Sequence, residues 1–421
     1  MVEIVRLRED NREALVRRSE GAVSSVLPQV RKIVEEVRRR GDRALLELER
    51  RLDGSRLKSL RVTDREIVEA YERVGERGIE VLKSVERSIE RFHRRMLPKE
   101  WRVELSKGVT AGVLVRAVRR VGLYVPGGQA GYPSTVLMGA VPARVAGVEE
   151  IYICTPPKGG AINPYVLVAA DLVGVEGIFK VGGAQAIAAM AYGTETIPKV
   201  EKVVGPGNIY VQAAKMLVSG EVEVDFQAGP SEVMILADDS ARASTVALEL
   251  LAQAEHDANS SAVLVTPSLR LAREVKRFLE ERMNSDTLRA SFSRYSRIVL
   301  VRNLERGMQF ANDYAPEHLV LMVRQPMKWL GKVRNAGEVF IGPYSAVAAG
   351  DFTVGPSHIL PTGGKARSRS GLTVFDFLKF LPYQQLSREG LKRLSPLVER
   401  MAEVEGLPWH ARSVRERLEG E

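Results

Sequence analysis

Asn312-Asp313-Tyr314-Ala315-Pro316-Glu317-His318-Leu319, continued by Val320-Leu321-Met322-Val323, is the stretch from which both the fold and a candidate site can be read. The run Leu319–Val323 has no polar alternation, as expected of a strand covered on both faces. Pro316 fixes its own φ and turns Ala315 away from helix. Glu317 and His318 follow at once, so an acid and an imidazole sit side by side at the mouth of that strand. Two proton-transfer groups on constrained backbone suit two successive acid–base steps. The octapeptide alone is equally compatible with a surface Glu-His pair that merely starts a strand.

Runs of the same texture recur along the chain at Val121–Val125, Glu150–Cys154, Gly177–Val181, Val200–Val204, Val233–Ala237, Ala262–Thr266, Arg297–Val301 and Glu338–Ile341. Helix candidates such as Ser134–Ala146, Pro164–Leu172 and Ala184–Ala191 lie between them. This βαβ rhythm predicts a doubly wound α/β architecture with ligands at the carboxyl ends of the strands, and there are enough strands for two sheets. Before it, residues 1 to about 20 read as a short strand and a helix. Residues 23 to 97 carry helical periodicity (Val30, Ile33, Val34, Val37; Ile67, Ala70, Tyr71, Val74), and 101–105 and 109–118 read as a hairpin turning at Gly108. A Gly/Pro/Ser-rich loop spans 351–371, long enough to suggest function. From about Phe375 the chain reads as helix again.

With 421 residues and 45% hydrophobic content the chain can bury large cores, and its net charge is +9. The basic residues interleave with acids, as in Glu86-Arg87-Ser88-Ile89-Glu90-Arg91, which fits solvated helix faces better than a nucleic-acid track. No apolar run is long and clean enough to span a bilayer, and Met1-Val2-Glu3-Ile4-Val5-Arg6 lacks the apolar core of a signal peptide. The single cysteine, Cys154, suits a reducing cytoplasm and sits at a strand end, where a structural thiol is the commoner case.

The five histidines are His93, His256, His318, His358 and His410. His93 lies at a basic helix end and reads as structural. Gln253 and His256 fall three apart on a segment read as helical from Ala243, so one face could aim both at one point. Asp351 opens the long loop, His358 follows in it, and His410 comes near the end. Two His, one Asp and one Gln would make an N/O metal site compatible with zinc. Their spacing leaves equally open that they are unrelated polar residues. Glycine turns stand at strand ends: Pro126-Gly127-Gly128, Gly182-Gly183-Ala184-Gln185, Gly205-Pro206-Gly207-Asn208 and Gly229-Pro230-Ser231-Glu232. Each could bring backbone close to a nucleotide or be a plain βα turn. Neither a GxGxxG fingerprint nor a Walker A motif is present.

Taken together, these residues resemble the histidinol dehydrogenase family. The likeness runs from about Arg119 to His410. It is carried by Gly122-Leu123-Tyr124-Val125-Pro126-Gly127-Gly128, Tyr132–Met138, Val181–Ala188, Gly205–Asn208, Ala228-Gly229-Pro230-Ser231-Glu232-Val233 and Ala315–Leu319. The resemblance implies Gln253, His256, Asp351 and His410 as zinc ligands, one zinc per subunit. It implies Glu317 and His318 as the acid–base pair. Ser231, His358 and Glu405 would join the zinc ligands and His318 in lining the substrate site, and Tyr124, Gln185 and Asn208 would contact the dinucleotide. It also implies a cytoplasmic homodimer with shared active sites. Its two Rossmann-like domains would comprise 23–127 with 232–371, carrying the metal and catalytic residues, and 128–231, contacting NAD. An N-terminal arm, 1–22, and a C-terminal helical segment, 372–421, that completes the partner's site would flank them. The implied reaction is oxidation of L-histidinol to L-histidine through a bound aldehyde, histidinal, with two NAD reduced. The residues alone leave room for a same-fold dehydrogenase of another amino or sulfo alcohol. A zinc hydrolase using Glu317 as base is also compatible, and a nucleic-acid binder is disfavoured by the mixed charge.

Overall fold

The structure, a computed structural model, describes residues 2–17, 22–127, 131–225 and 229–419. The chain opens with β1 (Ile4–Arg6) and the short helix α1 (Arg12–Val16), followed by two long helices, α2 (Ala22–Leu52) and α3 (Asp64–Met96). Each long helix bends at a left-handed glycine, Gly41 (φ 52) in α2 and Gly75 (φ 67) in α3. β2 (Trp101–Ser106) and β3 (Val109–Ala117) form a hairpin. β4 (Arg120–Tyr124), α4 (Pro133–Ala146), β5 (Glu150–Cys154), α5 (Pro164–Val173), β6 (Gly177–Phe179), α6 (Gly183–Tyr192), β7 (Lys202–Val204), α7 (Ile209–Val218) and β8 (Glu223–Val224) then alternate. A second alternation runs through β9 (Glu232–Ala237), α8 (Ala243–Ala254), β10 (Ser261–Thr266), α9 (Leu269–Arg282), α10 (Asp286–Arg294), β11 (Arg297–Leu300), α11 (Leu304–Tyr314) and β12 (His318–Met322). It ends with the single turn α12 (Met327–Leu330), β13 (Glu338–Ile341) and α13 (Val347–Ala349). A π-helical turn, Gly350–Val354, and two 3-10 turns lead to β14 (Leu378–Leu386), α14 (Arg388–Val404) and α15 (Pro408–Glu419).

Two sheets are parallel throughout: β1-β11-β10-β9-β12-β13 and β6-β5-β4-β7-β8. β12 lies between β9 and β13, which is why Leu319–Met322 carries no polar alternation. Leu319 and Leu321 pack with Phe310 and Ala311 of α11 on one face, whereas Val320 and Met322 pack with Val246 and Leu250 of α8 on the other. Each strand expected in the two parallel sheets is present, with ends shifted by one or two residues.

Two expectations need correction. Residues 23–127 do not join the six-stranded sheet. The Val30, Ile33, Val34 and Val37 stripe of α2 packs with Ile187 and Val203, and Ala70, Val74 and Leu82 of α3 pack with Ile151 and Val166, so both helices cover the five-stranded sheet that β4 also enters. The N-terminal strand joins the other sheet, β1 pairing in parallel with β11. The chain after Phe375 is not helical at first: β14 pairs antiparallel with β3 over its whole length. Its side chains are mostly exposed, so no alternation betrays it in the sequence. Arg18–Gly21, Gly128 and Ala228, which figured in the arm and in two motifs, lie outside the described residues.

One turn fixes the carboxyl edge of the five-stranded sheet. Gly205 has φ 117, and a side chain there would meet the Tyr124 carbonyl oxygen at 2.1 Å. Its amide donates to Asp225 Oδ2 at 2.7 Å, and the fully buried Lys215, paired with Asp225, donates to its carbonyl. Gly205→Ala is expected to cost about 3 kcal/mol through backbone strain. Gly220→Ala, with nothing within 4 Å of the added carbon, should stay within about 0.5 kcal/mol of wild type. Urea unfolding followed by circular dichroism compares the two, and equal midpoints would contradict this role for Gly205.

Candidate active site

α11 is ended by Ala315, which adopts the left-handed conformation (φ 52, ψ 64) that non-glycine residues rarely take. Pro316 and Glu317 are then tied to the start of β13, their carbonyls accepting from Gly337 and Glu338 amides at 2.9 Å each. The backbone around Glu317 and His318 is thus held on both sides, and both side chains are buried.

Glu232, at the start of the adjacent β9, meets both. Its amide donates to Glu317 Oε2 at 2.7 Å, and its carbonyl accepts from His318 Nδ1 at 2.9 Å. A carbonyl can only accept, so the proton of a neutral His318 sits on Nδ1 and Nε2 is left as the basic nitrogen. Nε2 is buried, makes no hydrogen bond, and stands 3.6 Å from Asp351 Oδ1, beyond hydrogen-bond reach.

Further acids surround this imidazole. Glu338 opens β13 opposite His318 in register. Glu249 on α8 accepts from the Val347 amide at 2.7 Å. Burial pushes Glu317 up to about 8 and Glu338 up to about 7, and raises Glu249. Burial opposes charge on His318 as well, but the carboxylates of Glu317 and Asp351 outweigh it and raise the imidazole to about 9. The site therefore holds more potential negative than positive charge and suits a cation, or a cationic substrate, bound beside His318.

His358 hangs on the same loop. Its Nδ1 donates to the Asp351 carbonyl at 2.8 Å, and its Nε2 lies 3.2 Å from the hydroxyl of Thr135 on α4. That bond joins the loop to the first turn of the helix that follows β4. The Gly363 amide donates to Glu232 Oε1 at 3.1 Å, and Thr362 bonds the Gly229 amide beside Ser231. Ser231, Glu317, His318, Asp351 and His358 are in this way gathered at the amino edge of the six-stranded sheet. That reverses the expectation of carboxyl ends for this sheet. Tyr124, Gln185 and Asn208 stand at the carboxyl edge of the five-stranded sheet, where they end or follow β4, β6 and β7. Tyr124 accepts from the Gly183 amide at 3.1 Å, and Asn208 caps α7.

The remaining predicted residues are less assembled. Gln253 is buried in the last turn of α8, one turn beyond Glu249 and so on the same face. His256 is not on that helix, which ends at Ala254, and it is exposed in the turn beyond. Glu405 and His410 lie on the α14–α15 hairpin and share a shallow cavity of about 270 Å³ with Leu397, Met401 and Leu407. The hairpin rests on the β2–β3 turn through Ser387 and Arg393. Among the described residues, no three His, Cys, Asp or Glu side chains stand close enough to hold a metal ion. Cys154 is buried, and burial raises its thiol well above the ordinary range.

A model of the histidinol dehydrogenase family matches residues 16–418. The chain belongs to the histidinol dehydrogenase family. It is 50% identical to the histidinol dehydrogenase of Methanothermobacter thermautotrophicus over 96% of each chain, and 48% identical to that of Methanopyrus kandleri over 98% of this chain and 99% of the other. The crystal structure of histidinol dehydrogenase from Elizabethkingia anophelis superposes with a TM-score of 0.95 at 35% identity, covering 99% of this chain and 98% of that one.

Sequence reasoning missed Glu232, Thr135, Glu249 and Glu338. Glu338 carried a usable signal, since it stands at the start of an apolar strand as Glu317 stands just before one. Thr135 carried none, because its role depends on a contact 223 residues away. The electrostatics make a testable point for this member of the histidinol dehydrogenase family. Glu317→Gln keeps an oxygen for the Glu232 amide but removes a charge that raises His318. In metal-free protein, a ¹⁵N-histidine titration should show the His318 midpoint falling, by more than about one pH unit. An unchanged or higher midpoint would break the assignment.

Proposed function

We propose that this protein oxidises L-histidinol to L-histidine in two NAD-dependent steps at a zinc site shared between the subunits of a cytoplasmic homodimer. Membership of the histidinol dehydrogenase family supports the reaction. The observation that carries the mechanism is the buried His318 Nε2, which makes no hydrogen bond and is fixed as the basic nitrogen by the Glu232 carbonyl.

The groups that would hold zinc are Gln253, His256, Asp351 and His410 of the partner subunit. The donor chemistry fits, since the buried carboxylates around His318 await a positive charge. Bound there, zinc would supply a cationic anchor for the substrate's nitrogens, and NAD, held by Tyr124, Gln185 and Asn208, would supply the hydride acceptor for each oxidation. Ser231, His358 and Glu405 would hold the part of the substrate that does not react. His318 Nε2 accepts the hydroxyl proton of the alcohol as the aldehyde forms. Glu317 takes a proton from the water that adds to the aldehyde, its carboxyl lying near neutrality because of burial, while protonated His318 returns its proton to the aldehyde oxygen and is left neutral again. His318 then accepts the second hydroxyl proton, from the hydrate. The 351–371 loop, tied to Thr135 and Glu232, shields the aldehyde between steps.

Two features favour a shared site. The α14–α15 hairpin exposes Leu397, Met401, Val404 and Trp409, an apolar surface that a second copy would cover. His410 lines the α14–α15 cavity, whose lining does not include Asp351, and exchange across a two-fold would bring it to the partner's Asp351. The parallel sheets are read as two doubly wound Rossmann-like units, with residues 372–421 completing the partner's site. No helix among the described residues is long and apolar enough to cross a membrane.

Chelator-stripped protein should lose histidinol oxidation and regain it with zinc, while full activity in verified metal-free protein would contradict the zinc site. Glu317→Gln should still oxidise histidinol to the aldehyde yet be slow on the aldehyde itself, and His318→Asn should be impaired on both. Stopped-flow NADH absorbance on each substrate separates the steps, and equal losses in Glu317→Gln would refute the division of roles.

A further inference from the structure

Glu49, in the last turn of α2, is fully buried beneath the turn that opens α6. Its Oε1 accepts from the Gly182 amide at 3.0 Å and from Gln185 Nε2 at 2.9 Å. Asp53, four residues on, reaches the same nitrogen at 3.4 Å through Oδ2. A carboxamide NH₂ has two hydrogens, and two carboxylates stand ready to take both. The amide of Gln185 is therefore not free to flip, because the flip would face two acids with an acceptor oxygen. Its Oε1 is left on the other side, next to Gly183, where a side chain would come within 3.0 Å of it. Gly183 has φ 55 and no side chain, so that space stays clear. Among the described residues no group donates a hydrogen bond to Oε1.

We propose that Glu49, backed by Asp53, is a positioning residue that locks the Gln185 carboxamide with its oxygen toward the dinucleotide. The group recognised there is consequently a hydrogen-bond donor, an amide or a hydroxyl, and not a phosphate. A phosphate would find an acceptor oxygen and two carboxylates behind it. Burial pushes the Glu49 carboxyl up to about 7, opposed by the bonds from Gln185 and Gly182, so forming this clamp has a desolvation cost that a surface contact would not carry.

The inference rests on the reading that Gln185 contacts NAD, and calorimetric titration of the zinc-loaded dimer with NAD separates the two. Gln185→Met should weaken NAD binding roughly ten-fold, the worth of one hydrogen bond. Glu49→Leu should weaken it to a similar extent, and Glu49→Gln, whose oxygen can still accept from Gly182 and Gln185, should stay within about three-fold. The double variant Glu49→Leu/Gln185→Met should bind no worse than Gln185→Met alone, since Glu49 acts through Gln185. Competition by inorganic pyrophosphate should be the same for wild type and Gln185→Met. If Glu49→Leu does not fold, Asp53→Ala carries the cycle: about three-fold weaker binding in the wild-type background and no effect in Gln185→Met. Unchanged NAD affinity in Gln185→Met would overturn the dinucleotide reading of that residue, and this inference with it. A loss in Gln185→Met without one in Glu49→Leu, losses that add fully in the double variant, or weakened pyrophosphate competition would overturn this inference alone.

Discussion

The backbone carbonyl of Glu232 decides what His318 can do. By accepting from Nδ1 it leaves Nε2 as the basic atom, and by position it seats the imidazole between β9 and β13. The amide of the same residue holds Glu317, so the backbone of one residue orients both side chains. This is possible only because β9 and β12 are adjacent and parallel, which brings their first residues level. The continuous apolar runs that build the sheet are thus also what aligns the chemistry.

The five-stranded sheet presents its carboxyl edge and the six-stranded sheet its amino edge, and the loop after Asp351 joins them through the His358–Thr135 contact. In the proposed reaction an acid–base pair must face a hydride acceptor, and two edges of opposite polarity give each its own scaffold. The acids around His318 are costly to bury, a cost that the zinc proposed above would offset. The electrostatics of the site therefore fit the N/O ligand set of Gln253, His256, Asp351 and His410.

Much of this was legible in the residues. Buried parallel strands announce themselves by unbroken Val, Ile and Leu, and the Pro316-Glu317-His318 junction marked the acid and imidazole that the structure buries against Glu232. Pairing was less legible. The stripes of α2 and α3 show that they pack but not on which sheet, and β14 is an exposed strand with no pattern to read. Glu232 looked like a turn residue because its part is played by its backbone, which side-chain chemistry does not advertise. Local rules also misplaced His256, since α8 stops at Ala254, just before the Asp257-Asn259 turn.

The central claim is that His318 serves its own chain's site while His410 serves the partner's. Mixing tests both halves at once. Chains carrying His318→Asn and chains carrying His410→Asn, each inactive alone, are unfolded and refolded together, and two tags show that mixed dimers have formed. The account predicts one site with both lesions and one with neither, so random reassociation should restore roughly a quarter of wild-type NADH production, since about half the dimers are mixed. If tagged mixed dimers form and remain inactive, each site carries one lesion, and the shared-site account is wrong.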